Sequence, residues 1–292
     1  MQHIIENDKL KVVVADHGAE IRSIVRKRDG LEMMWQADAA YWGRTSPVLF
    51  PLVGNYFRKT SVYKGISYEM GQHGFARDMD FTCVNENENS LEFLLQDDED
   101  THKKYPFAFR LTIEYILEAD TVKVLWKVEN INDEKMYFSI GAHPAFNCDL
   151  NTYSLRFELN DKSCQELEAN VIANDGSGCL SNDIDKYDLD DGILDMSDEL
   201  FAKDALIIEN SQANKVTLIN ENGEDVVAVS FSTPLFGIWS PVGKEAPFVC
   251  IEPWYGRCDR VGFGQDLTQR EYGNILDVDE VFRGEYRMKF NL

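Results

Sequence analysis

The sequence predicts an all-β protein, a sandwich or barrel of antiparallel strands. Three observations carry this expectation. Apolar residues recur with period two in many short segments. Those segments follow one another closely, with turn residues between them. Helical periodicity is nearly absent, so the long crossover helices of a parallel α/β sheet are missing.

Leu10–Ala15 opens the series with a β-branched run. From Phe109 the chain alternates, with Phe109, Leu111, Ile113 and Tyr115 on one face. A second alternating segment begins at Thr121 after a Glu-Ala-Asp connection, and the two read as an antiparallel hairpin. Ala205–Ile208, Lys215–Ile219 and Asp225–Phe231 continue the style, with the tight-turn dipeptide Asn222-Gly223 before the last. The stretch from Asp195 to Ala202 predicts one short helix. β-Sandwiches run to about 250 residues as single units. With no Pro- or Ser-rich linker and no fixed-period repeat, residues 1–292 read as one domain.

Hydrophobic residues make up 44% of the chain and charged residues 27%, enough apolar matter to build a core. The formal net charge of -22 excludes a nucleic-acid partner, whose phosphates need a basic surface, and disfavours an anionic membrane. The first residues have neither a basic nor an apolar stretch of signal-peptide type, and no apolar run is long enough to span a bilayer. The six cysteines include no Cys-x-x-Cys pair. Reduced thiols in a cytoplasmic protein are the expectation. Two acidic stretches, residues 96–100 and 183–199, read as solvated loops; neither meets the EF-hand spacing.

Five histidines are present. His3 and His17, with no polar neighbours of note in the N-terminal segment, and His102, in a loop, read as structural rather than functional residues. His143 ends the segment that begins at Met136. Met136, Phe138, Ile140 and Ala142 form one face; Tyr137, Ser139, Gly141 and His143 form the other, and Pro144 stops the ladder. A histidine ending a small, polar strand face suits a cleft. His73 stands between Gly71 and Gly74, in a functional loop or a plain turn. Glu252 shares a strand face with Phe248 and Cys250. It is either a base with a raised pKa or the partner of Arg257 or Arg260. Trp42, Trp239 and Trp254 lie near these segments, as core or as ligand-facing rings.

Four segments in order resemble the aldose 1-epimerase (galactose mutarotase-like) family, in particular its LacX-like branch. They are the run from Tyr41 to Gly54, Gln72-His-Gly-Phe-Ala-Arg77, Gly141-Ala-His-Pro-Ala-Phe146, and Cys250-Ile-Glu-Pro-Trp-Tyr-Gly256. The resemblance spans nearly the whole chain. It implies a large antiparallel β-sandwich, the supersandwich, with an aldohexose in an open cleft. It implies Glu252 as general base and His143 as general acid in α/β anomer interconversion. His73, Arg44, Asp204 and Trp239 would bind the sugar. No metal or other cofactor is implied. One departure is Asn55, where the LacX-like branch leads one to expect a basic residue.

Two further classes compete with this reading. One is a metal enzyme with His73, His143 and Glu252 as ligands, although no motif spacing supports it. The other is a non-catalytic sugar-binding protein on the same fold. A hexose-6-phosphate 1-epimerase is a third alternative, with Arg58, Lys59 and Arg77 as phosphate candidates. The expected assembly is a monomer or homodimer. The expected site has His73, His143 and Glu252 converging on one cleft beside a tryptophan. His143 and Glu252 should stand several ångströms apart across the sugar without touching.

Overall fold

The computed structural model describes residues 1–291. Two large sheets form the body. The ten-stranded sheet runs from Lys162–Ser163 through Ser154–Leu159, Lys215–Ile219, Asp225–Phe231, Val281–Phe290, Thr121–Asn130, Phe109–Glu118 and Ser90–Gln96 to Thr82–Glu86, with Ile193–Asp195 beside Ser154–Leu159. The eight-stranded sheet runs from Leu180–Asp188 through Glu166–Ile172, Leu206–Ile208, Leu235–Trp239, Phe248–Tyr255 and Ile140–Ala142 to Val48–Leu49. Ala145–Asn147 also pairs with Phe248–Tyr255. A four-stranded sheet of residues 2–32 adds to these.

The predicted hairpin is present, in register from Phe109↔Asn130 to Glu118↔Thr121. Its alternation places Phe109, Leu111, Ile113 and Tyr115 in the main core. Asn222-Gly223 makes the turn before Asp225–Phe231, with Gly223 in the left-handed region. The predicted helix is shorter than expected. Ile193–Asp195 joins a sheet, and only Asp198–Phe201 coils, as a 3-10 turn capped by the Ser197 hydroxyl.

The acidic stretches have local roles. Asp98 caps the four-residue helix Glu99–His102, and Asp97 accepts hydrogen bonds from the Phe109 N–H and His102. Asp185 pairs with Lys203, and Asp195 accepts from the Ser154 hydroxyl. Among the described residues, no helix is long and apolar enough to cross a membrane.

The strand expected from Met136 to His143 is broken at Ser139. Met136–Phe138 pairs with Asn274–Leu276, whereas Ile140–Ala142 moves to Phe248–Tyr255. Ser139 gives its N–H to the Pro51 carbonyl and its hydroxyl accepts from Arg270, so the ladder cannot continue through it. Tyr137 is thereby separated from the face that carries His143.

Candidate active site

Phe248–Tyr255 is buried on both faces, apart from a half-buried last residue. Alternation sends Val249 and Ile251 into the main core between the sheets. Phe248, Cys250, Glu252 and Trp254 point the other way, where two small apolar clusters and a cavity lie. The site therefore occupies the outer face of the eight-stranded sheet, walled by loops rather than by the second sheet.

The pairing register brings the histidine to the glutamate. Gly141 lies opposite Trp254, and beyond a break at Pro144, Ala145 lies opposite Cys250. Carrying that register through the break puts His143 opposite Glu252, and opposed residues in an antiparallel pair share a face. His143 Nε2 and Glu252 Oε2 are 3.3 Å apart. This corrects two expectations. The pair touches, because its two members are cross-strand neighbours. It is also buried, with Glu252 1% and His143 6% exposed, because it forms the floor of the cleft. The reading of Glu252 as partner of Arg257 or Arg260 is contradicted as well. Arg257 pairs with Glu209 and Glu271, and Arg260 bonds the Ser181 carbonyl and Asn170.

Above this floor is a cavity of about 440 Å³. His73, His143, Glu252, Asp204 and Trp239 all line it, with Trp42 and Trp254. Trp42 stacks on the His143 ring at 4.7 Å, and Trp239 meets it edge-on at 5.4 Å. The indole of Trp254 fits because Gly141 and Gly237 flank it; a Cβ on either would fall within 2.6 Å of the ring. His73 holds left-handed backbone with φ 65°, an uncommon conformation for a non-glycine residue. Its Nδ1 accepts the Gly54 N–H at 3.0 Å, so the neutral ring carries its proton on Nε2.

Arg44 is placed differently from the implied contact. Its guanidinium bonds Asp78 at 2.7 Å, and it does not appear in the cavity wall. Arg77 lines the cavity instead, with its Nε buried, without a hydrogen bond and 3.8 Å from Asp78 Oδ2. Sequence reasoning weighed Arg77 only for phosphate. The available signal was its place at the end of the Gln72–Arg77 segment. Of the other phosphate candidates, Lys59 lines a neighbouring cavity and Arg58 lies over the Phe57 ring, so the three cations do not converge. Asn55 is buried and turns its amide toward the Gly178 carbonyl in that same neighbouring cavity.

Burial sets the electrostatics. It raises the Glu252 carboxyl well above its usual range, and the Asp204 carboxylate adds to the effect. It lowers His143 to about 3, with Arg77 and Arg44 acting in the same direction. His73 is lowered by burial and by facing His143. Burial thus disfavours the charged form of both groups, and a proton held by the Glu252–His143 pair is favoured on the carboxyl. His143 Nδ1, Glu252 Oε2 and Trp254 Nε1 are buried without a hydrogen-bond partner. Unmet polar atoms grouped in one cavity are what a polar ligand would satisfy. A set of side chains that could hold a metal ion exists here, but it is His143, Cys250 and Glu252, not the triad with His73.

Solved structures that share this sandwich are galactose mutarotase-like proteins. The chain belongs to the aldose 1-epimerase family, whose model matches residues 1–265. It is 31% identical over 289 residues to the LacX proteins of Lactococcus lactis subsp. lactis, a match covering 94% of this chain and 91% of theirs. A galactose mutarotase related enzyme from Lactobacillus acidophilus superposes with a TM-score of 0.93 at 36% identity, covering 100% of this chain and 98% of its own. A galactose mutarotase-like protein from Lactobacillus casei ATCC 334 gives 0.92 at 29%, with both chains covered completely. Family and fold together support a mutarotase-like function.

Proposed function

We propose that this protein interconverts the α and β anomers of a neutral aldohexose, with Glu252 and His143 as the proton-transfer pair. The observation that carries the reading is the buried cross-strand contact of these two groups beneath aromatic rings. Ring opening takes the proton from the C1 hydroxyl and gives one to the ring oxygen as the C1–O5 bond breaks. Glu252 accepts the first proton and His143, as imidazolium, donates the second. The pair then stands as neutral carboxylic acid and neutral imidazole. After rotation about C1–C2, this form suits closure: imidazole takes the O5 proton and the carboxyl protonates the aldehyde oxygen. The proton count of the pair is conserved, and the state that burial favours is the one closure uses. General acid and base groups each contribute ~10²–10⁴ in rate.

Tryptophan and tyrosine rings offer apolar faces to sugar C–H bonds. The Nε2–H of His73 and the Nε–H of Arg77 are donors for sugar oxygens, and Asp204 is an acceptor. A neutral sugar is favoured over a 6-phosphate because the phosphate candidates are scattered and Lys244 is held by the Ala40 and Tyr41 carbonyls. The test is NMR exchange between anomers for a panel of aldohexoses and their 6-phosphates. Exchange above the uncatalysed rate with a free hexose supports the reading. Exchange only with a 6-phosphate, or binding without exchange, overturns it.

A further inference from the structure

Outside the cavity, a second cluster of metal-ligating side chains lies where Gln2–Glu6 of the four-stranded sheet meets the end of the ten-stranded sheet. Its members are His3, Cys83 and Glu86, whose ligand atoms lie within 4.8 Å of one another. A bulge builds it. Cys83 and Glu86 are three residues apart in Thr82–Glu86, and in a regular strand they would face opposite sides. Val84 is an extra residue here: Cys83 pairs with Phe93, Asn85 with Glu92 and Glu86 with Leu91. Phe93 and Leu91 are both buried in the core, and opposed residues share a face. Cys83 and Glu86 are therefore turned to the same side. His3 reaches that side from Gln2–Glu6, with its ring edge-on to Phe93 at 5.5 Å.

The histidine faces a carboxylate at each nitrogen. Nε2 lies 2.9 Å from Asp16 Oδ1, and Nδ1 lies 2.8 Å from Glu86 Oε2. A neutral ring that donates Nε2–H to Asp16 aims its Nδ1 lone pair at Glu86. Only a proton or a metal cation between Nδ1 and Glu86 makes that contact favourable. The His3 side chain is 11% exposed and that of Glu86 51%, so the ring is fixed while the carboxylate has room to adjust.

We propose that His3, Cys83 and Glu86 bind one divalent transition-metal ion, zinc by the nature of the donors, with Asp16 orienting the His3 ring. Imidazole, thiolate and carboxylate in one set suit Zn²⁺. Tetrahedral bonds of about 2.0–2.3 Å need donor atoms about 3.4–3.6 Å apart, which small side-chain movements reach from the present spacing. The fourth position opens to solvent beside Glu86. A carboxylate on the far nitrogen of a histidine ligand fixes its tautomer and orientation, which is the placement of Asp16. On binding, the ion replaces the proton between His3 and Glu86, and the Cys83 thiol gives up its own, so two protons pass to solvent. The ion ties Gln2–Glu6 to Thr82–Glu86, the terminal strand of the ten-stranded sheet.

The test titrates reduced protein with cobalt(II), a spectroscopic substitute for zinc. A single equivalent should give a thiolate-to-cobalt charge-transfer band, and a single equivalent of zinc should remove it. Cys83→Ser should lose the band. Cys250→Ser, which alters the cluster of His143, Cys250 and Glu252, should keep it. Asp16→Asn leaves all three ligands in place; it should keep the band and weaken cobalt binding about 10–100-fold. Zinc at about a hundredfold excess over its Kd should raise the melting temperature of the wild type by roughly 5 °C and leave Cys83→Ser unmoved. No band, or a band that survives Cys83→Ser, overturns the site. A band lost in Cys250→Ser and kept in Cys83→Ser places the ion at the catalytic floor and overturns it too. Unchanged affinity in Asp16→Asn overturns the orienting role of Asp16.

Discussion

Two buried polar regions lie a few residues apart along one stretch of chain, and they are built on opposite terms. The first is the Glu252–His143 pair. The second follows directly in sequence. Arg257 is 2% exposed and bonds Glu209, Glu271 and the Cys258 carbonyl, while Arg270 bonds Asp259, Ser139 and the Arg257 carbonyl. Every charge there has an opposite partner. The pair at 143 and 252 has only its own cross-strand contact at 3.3 Å, and it keeps buried polar atoms without hydrogen bonds. A matched network orders the loops behind the cavity. An unmatched pair has capacity to spare for a ligand, at a cost in stability. The teaching is that burial alone does not mark an active site; burial without satisfaction does.

Substitutions in the two regions should therefore separate activity from stability. Glu252→Gln keeps the shape and removes the ionisable group, and anomer exchange should fall by ~10³–10⁴ in kcat. The melting temperature should hold or rise, since a costly buried carboxyl is gone. A near-wild-type rate breaks the comparison at its functional end. Arg257→Met should do the reverse, because it strands Glu209 in the interior. Removing one partner of a buried ion pair costs about 3–5 kcal/mol, which a urea titration reads directly. A loss below about 1 kcal/mol would mean that the network is not what holds the loops. His143→Asn should lower exchange by ~10²–10³, while His102→Asn, exposed and bonded to Asp97, should not change it. Equal losses at both would indicate folding damage.

The smallest effect concerns acid. Burial depresses the folded-state pKa of His73, so the folded protein refuses a proton that the unfolded chain accepts below about 6.5. Its contribution is fully present above that pH and is lost as pH falls toward the folded value. The slope is up to about 1.4 kcal/mol per pH unit for each such histidine. His73→Asn should flatten the decline of urea midpoints between pH 7 and pH 5. Identical slopes in the two proteins would sharpen the account against a buried neutral His73.

The shared face of Phe248, Cys250 and Glu252 was legible because strand alternation needs only local sequence. The contact of Glu252 with His143 was not, because it depends on a register between segments far apart in the chain. Nor was the break at Ser139, which is decided by Pro51 and Arg270 from two other regions. The same limit explains the arginines. Arg44 and Arg77 look equally available in sequence, and only the folded chain shows Asp78 hydrogen-bonded to the first at 2.7 Å while the second turns to the Gln72 carbonyl and the cavity. His3 looked isolated but lies between Asp16 and Glu86, brought to it by neighbouring strands.

The central claim is that Glu252 and His143 act as one unit through a shared proton. The double variant Glu252→Gln/His143→Asn tests it most directly, with anomer exchange measured by NMR beside each single variant. Groups that work as a unit are strongly non-additive. The account predicts a rate within about threefold of Glu252→Gln alone. Losses that multiply, taking the double variant to the product of the two single effects, would contradict it.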